Sequence, residues 1–137
     1  MKLICDTNII LDVVLRREPF YSYSAQCLNM CESGDCEGVI TTNSLTDIFY
    51  VVHRITHSNP IAYDAIEMTA QIFSRANTDD ECIRNALAKR HRDFEDSIIA
   101  YAAEKNGCDY ILTRNKKDYA NFSIPAISPK ELLDLFP

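Results

Sequence analysis

Lys2-Leu3-Ile4-Cys5-Asp6-Thr7-Asn8-Ile9-Ile10-Leu11-Asp12-Val13-Val14 is the stretch on which the fold turns. Lys2 to Cys5 is a short apolar run closed by Asp6-Thr7-Asn8, residue types that favour turns and helix starts. Ile9, Ile10, Val13 and Val14 then recur at helical spacing, so the segment reads as a strand running into a helix. Beyond the break at Pro19, Tyr23, Cys27, Met30 and Cys31 mark a second helix ending near Gly34, and Gly38 to Thr42 a second buried strand. Ser44 to Ile55 and Ile61 to Phe73 are two consecutive helices on either side of Pro60, and Ala86 to Lys89 closes a short one. Asp93 opens a stronger helix carrying Phe94, Ile98, Ile99, Ala102 and Ala103, stopped at Asn106-Gly107. Asp109 to Thr113 is a third strand, Asn115 to Tyr119 a turn or short helix, Pro125 to Ile127 a fourth strand, and Ser128-Pro129 starts a terminal helix. Strands separated by helices imply a parallel sheet covered on both faces, the α/β class.

The chain of 137 residues is long enough for one continuous core and short for two, so residues 1–137 read as one domain. No apolar run approaches the roughly 20 residues that span a bilayer, and Met1-Lys2-Leu3-Ile4-Cys5-Asp6 lacks the apolar stretch of a signal peptide. The expectation is a cytoplasmic protein with no membrane association. In that compartment Cys5, Cys27, Cys31, Cys36, Cys82 and Cys108 are expected as reduced, buried packing residues. Cys27, Cys31 and Cys36 are close enough in sequence to raise zinc, but no His lies among them and no CxxC occurs. His53, His57 and His91 show no catalytic spacing. The net charge of −6 opposes long-range attraction of a polyanion; a carboxylate cluster that binds divalent ions would account for part of it and would reverse the local field.

In open parallel sheets ligands bind beyond the carboxyl ends of the strands, and two strand ends carry polar residues: Asp6-Thr7-Asn8, and Thr113-Arg114-Asn115-Lys116-Lys117-Asp118. Each acid among the candidates has a plain structural reading beside the functional one. Asp6 suits a helix N-cap. Asp47 lies in a strongly apolar helix, where an acid is costly unless paired, solvated or metal-bound, although it can still face water. In Asp93-Phe94-Glu95-Asp96, Asp93 suits an N-cap and Asp96 the position that reaches back to it, yet the same geometry offers metal ligands.

Four segments in order carry a family resemblance: Leu3-Ile4-Cys5-Asp6-Thr7-Asn8, Thr42-Asn43-Ser44-Leu45-Thr46-Asp47-Ile48, Asp93-Phe94-Glu95-Asp96-Ser97, and Asp109-Tyr110-Ile111-Leu112-Thr113-Arg114-Asn115-Lys116-Lys117-Asp118-Tyr119. With these the chain resembles the PIN-domain nucleases, most closely the bacterial group that includes VapC-type toxins. The resemblance implies a three-layer α/β/α sandwich whose central, mainly parallel sheet has about four or five strands. It implies that Asp6, Asp47 and Asp96 form a catalytic acidic core, with Asn115 or Asp118 near a fourth position. Two departures stand out. The second position is usually Glu, where this chain has Asp47, and the fourth is commonly acidic, where it has Asn115; Asp118 or Asp93 are the candidates for the missing charge.

The chemistry implied is hydrolysis of RNA phosphodiester bonds with Mg²⁺ or Mn²⁺ as cofactor. Clustered carboxylates repel one another unless a cation joins them, and hard oxygen ligands suit these ions. Asp6, Asp47, Asp93, Asp96 and Asp118 are the expected metal ligands. Thr7, Asn8, Thr113, Arg114, Asn115 and Lys116 are expected to contact substrate, while Lys89-Arg90-His91-Arg92 and Lys117 are further cations flanking the site. An antitoxin partner and a homodimer follow from the toxin resemblance. The rival is a PIN-fold module that binds nucleic acid or regulates without catalysis, its departures at the second and fourth positions having cost it the metal. A receiver-like phospho-acceptor also has acids after its first strand, but the mainly helical stretch from Ser44 to Asn106 does not fit its regular alternation.

Overall fold

The first strand becomes the centre of the sheet because every residue from Leu3 to Cys5 is apolar, so both of its faces must be covered. In the computed structural model, which describes residues 1–137, β1 (Lys2–Cys5) lies between β2 (Glu37–Ile40) and β4 (Tyr110–Leu112). Two edge strands, β3 (Ser74–Arg75) and β5 (Ala126–Ile127), complete five parallel strands in the order β3-β2-β1-β4-β5. The register pairs Ile4 with Val39 on one side and with Ile111 on the other.

Successive strand residues feed opposite layers, as the two-residue period of a strand requires. Leu3, Cys5, Ile40 and Leu112 enter one core with α1 (Thr7–Val14), α2 (Tyr21–Ser33), α3 (Thr42–Thr56), α4 (Asn59–Ile72) and α7 (Pro129–Asp134). Ile4, Val39 and Ile111 enter the other with α6 (Phe94–Lys105), whose Ile99, Ala100, Ala102 and Ala103 are small enough to lie close to the sheet. On the outer side α5 (Asp80–Lys89) packs against α6. The parallel sheet covered on both faces expected from the alternation of strands and helices, and the three-layer α/β/α sandwich implied by the family resemblance, are therefore what the chain forms.

The differences from the sequence reading are local. The third strand in chain order, β3, has no apolar signal: both its residues are exposed and it holds its place through backbone pairing with Val39 and Ile40. Ahead of the short helix read at Ala86 to Lys89, Asp79 caps the chain by accepting the Cys82 amide at 3.2 Å, so α5 begins at Asp80. Thr41 likewise caps α3, accepting the Ser44 amide at 3.1 Å, which ends β2 at Ile40 and starts the helix at Thr42. Close approach decides one glycine: a Cβ on Gly38 would lie 2.6 Å from Phe73 Cδ1 and 3.0 Å from Cys31 Sγ, because the side chain that follows α4 and one from α2 cover β2 at that point. All six cysteines are free and buried, and burial pushes Cys27 and Cys31 up to about 12.

Candidate active site at the carboxyl edge of the sheet

Because β1 and β4 are parallel and adjacent, the residues that follow them emerge side by side. The ladder runs one step past both strands, with the Asp6 amide donating to Leu112 O at 3.0 Å and the Thr113 amide to Ile127 O at 3.0 Å. Asp6 stands at the N-cap position of α1 but makes no side-chain capping bond. Its Oδ2 instead accepts the Thr113 hydroxyl at 2.8 Å, and that hydroxyl oxygen accepts the Asn115 amide at 3.0 Å. Asp6 is 7% exposed, and burial raises its carboxyl above the ordinary aspartate value, against the lowering effect of the Thr113 bond. The carboxylate is thus held at the sheet edge by Thr113 rather than by the helix it could cap.

The second arm of the site is the start of α6. Asp93 Oδ1 accepts the Asp96 amide at 3.1 Å, so the capping role read from the sequence is real. Asp96 does not reach back to complete a box. Its Oδ1 accepts the hydroxyl of Tyr119, which is not among the candidate site residues of the sequence, at 3.1 Å. Burial, then the fields of Asp93 and Asp6, push Asp96 up to about 6. The Tyr119 hydroxyl is raised too, by its own burial and by Asp6 and Asp96, so it remains a donor at any ordinary pH.

Glu95 is the residue whose part the sequence reading missed. In the sequence it is one acid of a helix start, yet its Oε1 lies 3.1 Å from Thr7 Oγ1, and Thr7 Oγ1 lies 2.9 Å from Ser44 Oγ. Thr41 Oγ1 completes that row at 3.0 Å from Ser44 Oγ. Burial, a hydrogen bond shared with Asp47 and the Asp47 charge push Glu95 up to about 8, with Asp6 adding to the rise. Asp47 is half-buried and faces Glu95 rather than open water. The shorter acid on α3 is thus supplemented by a longer one on α6. The available signal was the placement of Glu95 one residue before Asp96, in the first turn, beside the same strand end.

The remaining candidates divide. Thr7 and Thr113 are buried at the edge and hold acids. Asp118 is half-buried, adds to the field on Asp6 and Asp96, and is ion-paired with Arg92. Asn8 is half-buried and accepts Arg17 Nη1 at 3.4 Å, while Asn115 is exposed. Arg114 is committed elsewhere: its Nε and Nη2 donate to the two oxygens of fully buried Asp12 at 2.8 and 3.1 Å, and the guanidinium lies 3.9 Å from the Phe20 ring centre. Lys116 is paired with Glu131 at 2.7 Å. Neither cation is free to meet a substrate as it stands.

Residues 2–117 match the PIN domain family. This chain belongs to that family. Ribonuclease VapC1 of Aquifex aeolicus strain VF5 is 23% identical to this PIN domain over 122 residues, covering 87% of this chain and 85% of the relative. Three solved structures share the fold. VapBC of Salmonella typhimurium bound to DNA aligns at TM-score 0.70 and 15% identity, covering 94% of this chain and 98% of the other. VapBC2 of Rickettsia felis bound to a promoter DNA fragment aligns at 0.68 and 14%, covering 93% and 98%. A toxin–antitoxin complex from Klebsiella pneumoniae aligns at 0.68 and 21%, covering 93% and 97%. The PIN fold expected from the four sequence segments is the fold observed.

Proposed function

We propose that this PIN domain is a divalent-metal-dependent endoribonuclease, hydrolysing RNA phosphodiester bonds in the cytoplasm as the toxin of a toxin–antitoxin pair. The observation that carries the reading is the gathering of Asp6, Glu95 and Asp96 at one sheet edge, where burial raises all three and neighbouring carboxylates add to it: Asp118 at Asp6, Asp47 and Asp6 at Glu95, and Asp93, Asp6 and Asp118 at Asp96. A protein keeps such an arrangement at a cost in stability, and perturbed carboxylates of this kind gather at functional sites. The ribonuclease named among the relatives supports the same chemistry.

The donors fit Mg²⁺ or Mn²⁺ in kind: all are carboxylate oxygens, and their repulsion is what a dication relieves. No three His, Cys or carboxylate side chains already meet at coordinating distance of one point, so water would make up part of the shell, as Mg²⁺ prefers. Asp6 and Asp96 are the residues that would hold the ion, with Glu95 taking the acidic position beside Asp47, and Asp93 and Asp118 at the rim. A bound dication supplies acidification of water and neutralisation of charge on phosphoryl oxygens. The protein fixes the rest. Thr113 aims Asp6, Tyr119 aims Asp96, and the Thr41, Ser44 and Thr7 hydroxyls locate Glu95, so the carboxylates are oriented before substrate arrives.

An antitoxin and a second copy of the chain are the expected protein partners. Phe49, Tyr50 and Tyr63 bring their rings together beside a groove of ≈ 350 Å³ between α3 and α4, and Tyr50 and Tyr63 are 72% and 63% exposed. Aromatic rings left in solvent in this way suit protein interfaces. No helix is long and apolar enough to cross a membrane.

Cleavage of single-stranded RNA with Mg²⁺ or Mn²⁺, set beside calorimetric titration of each ion, tests the enzyme. The wild type should cleave and bind ions, and Asp6→Asn and Asp96→Asn should lose both while remaining folded by circular dichroism. A wild type that binds neither ion and leaves RNA intact would leave the non-catalytic module as the correct reading.

A further inference from the structure

Six Lys and Arg side chains near the acids, with His91 among them in sequence, are candidates for gripping substrate, and the structure separates them. Arg114 and Lys116 are neutralised by carboxylates. The others gather: Lys89, Arg90, His91, Arg92 and Lys117, with Asn121, line a cleft of ≈ 370 Å³ that contains no carboxylate and no apolar side chain. In a chain of net charge −6 this is a concentrated positive surface. Its construction is specific. Arg90 ends α5 in the left-handed conformation, φ 54°, and so turns the chain away from the helix axis. Lys89 donates to Asn121 O at 2.7 Å and lies 5.1 Å from the Phe122 ring centre, which ties the end of α5 to the loop after the 3-10 turn (Lys116–Tyr119). Arg90 and Lys117 have no carboxylate partner. Arg92 joins the cleft to the acids, because its partner Asp118 is one of the charges felt by Asp6 and Asp96.

We infer that this cleft binds the RNA sugar–phosphate backbone next to the scissile bond, with Arg90 and Lys117 as its phosphate contacts and Arg92 at the boundary with the catalytic acids. The inference rests on the ribonuclease reading for the identity of its ligand. Lys and Arg side chains without base-edge acceptors position a nucleic acid through phosphates and carry no sequence information. A peptide is the weaker fit: protein interfaces bring apolar and aromatic groups to their centres, and this lining has none. Local concentration of positive charge also answers the difficulty posed by the acidic chain, since within a screening length of about 8 Å the nearest charges dominate.

The test is fluorescence anisotropy of a labelled single-stranded RNA, in EDTA, across a salt series, with the full chain and the double variant Arg90→Asn/Lys117→Gln. Asn accepts the left-handed backbone at residue 90. The control is Lys2→Gln/Lys130→Gln, which removes the same charge from sites paired with Glu37 and Asp134. The cleft variant should bind at least about fivefold more weakly and lower the salt slope by about 1.4, the value for two phosphate contacts on a single strand. The control should match wild type, and KM for cleavage should rise in the cleft variant with kcat little changed. Equal slopes in both variants, or a cleft that holds polyglutamate and not RNA, overturns the inference. If RNA is cleaved while the slope and KM are unmoved, the cleft is wrong and the ribonuclease stands. If the cleft variant loses RNA and the wild type never cleaves, the cleft stands and the enzyme is wrong.

Discussion

Replacing Glu95 with Gln should remove the pH dependence of stability that this carboxyl imposes on the metal-free protein. Glu95 is raised from 4.5 to about 8, so between those values the folded state keeps a proton that the unfolded chain has released. Stability is then present below pH 4.5 and lost as pH climbs through 8, the opposite of ordinary acid denaturation. Taken without screening, the rise corresponds to about 5 kcal/mol. Glu95 is only half-buried, and solvent screening reduces this to about 2 kcal/mol. In the variant a neutral amide N–H₂ faces Asp47, as the protonated acid does in the wild type. Thermal melts in EDTA from pH 5 to pH 9 should therefore start within about 1 kcal/mol of each other and diverge. At pH 9 Glu95→Gln should melt about 8 °C above wild type, at about 4 °C for each kcal/mol in a chain of this size. Saturating Mn²⁺, which stabilises a binding protein by about 2.7 kcal/mol in total at about 100 times its Kd, should narrow the gap, because it relieves the charged Glu95 of the wild type and not the neutral amide. Parallel melting curves for the two proteins across that range in EDTA would refute the assignment of the raised carboxyl to Glu95.

Tyr119→Phe removes the hydroxyl that lowers Asp96, so the Asp96 midpoint should rise above about 6 and the acid limb of the cleavage profile should move to higher pH; the lost bond should cost about 1 kcal/mol in a denaturant titration. Arg114→Ala leaves fully buried Asp12 with only the Ser24 hydroxyl, at 3.2 Å, and should cost about 3–5 kcal/mol in urea melts; a variant that loses RNA binding without losing stability would show that Arg114 meets substrate after all. Gly38→Ala drives a methyl into the Phe73 ring and should cost about 1–3 kcal/mol of stability, while leaving RNA cleavage per folded molecule unchanged, because the clash lies away from the acids.

Much of this architecture is written locally. The switch from the two-residue period of Leu3-Ile4-Cys5 to the helical period of Ile9, Ile10 and Val13 places Asp6 at a strand-to-helix junction, and Asp93 before an apolar helix places Asp96 in its first turn. Periodicity and capping depend on neighbours in sequence, so they are legible there, and a parallel sheet puts the Thr113 to Asp118 segment at the edge that carries Asp6; Asp96 was joined to that edge by the family resemblance alone. Pairing across the fold was not legible. Asp12 and Arg114 are 102 positions apart, and nothing near either one announces that each neutralises the other. The same holds for Glu95, which in the sequence is one more acid favoured by a helix dipole; only the tertiary fold buries it, sets Thr7 against it and gives it Asp47 as a companion charge. Chain order thus determined which residues stand at the edge of the sheet. The tertiary structure decided which of them are free, because burial and electrostatic partnership are set by whatever distant segment happens to lie within a few ångströms.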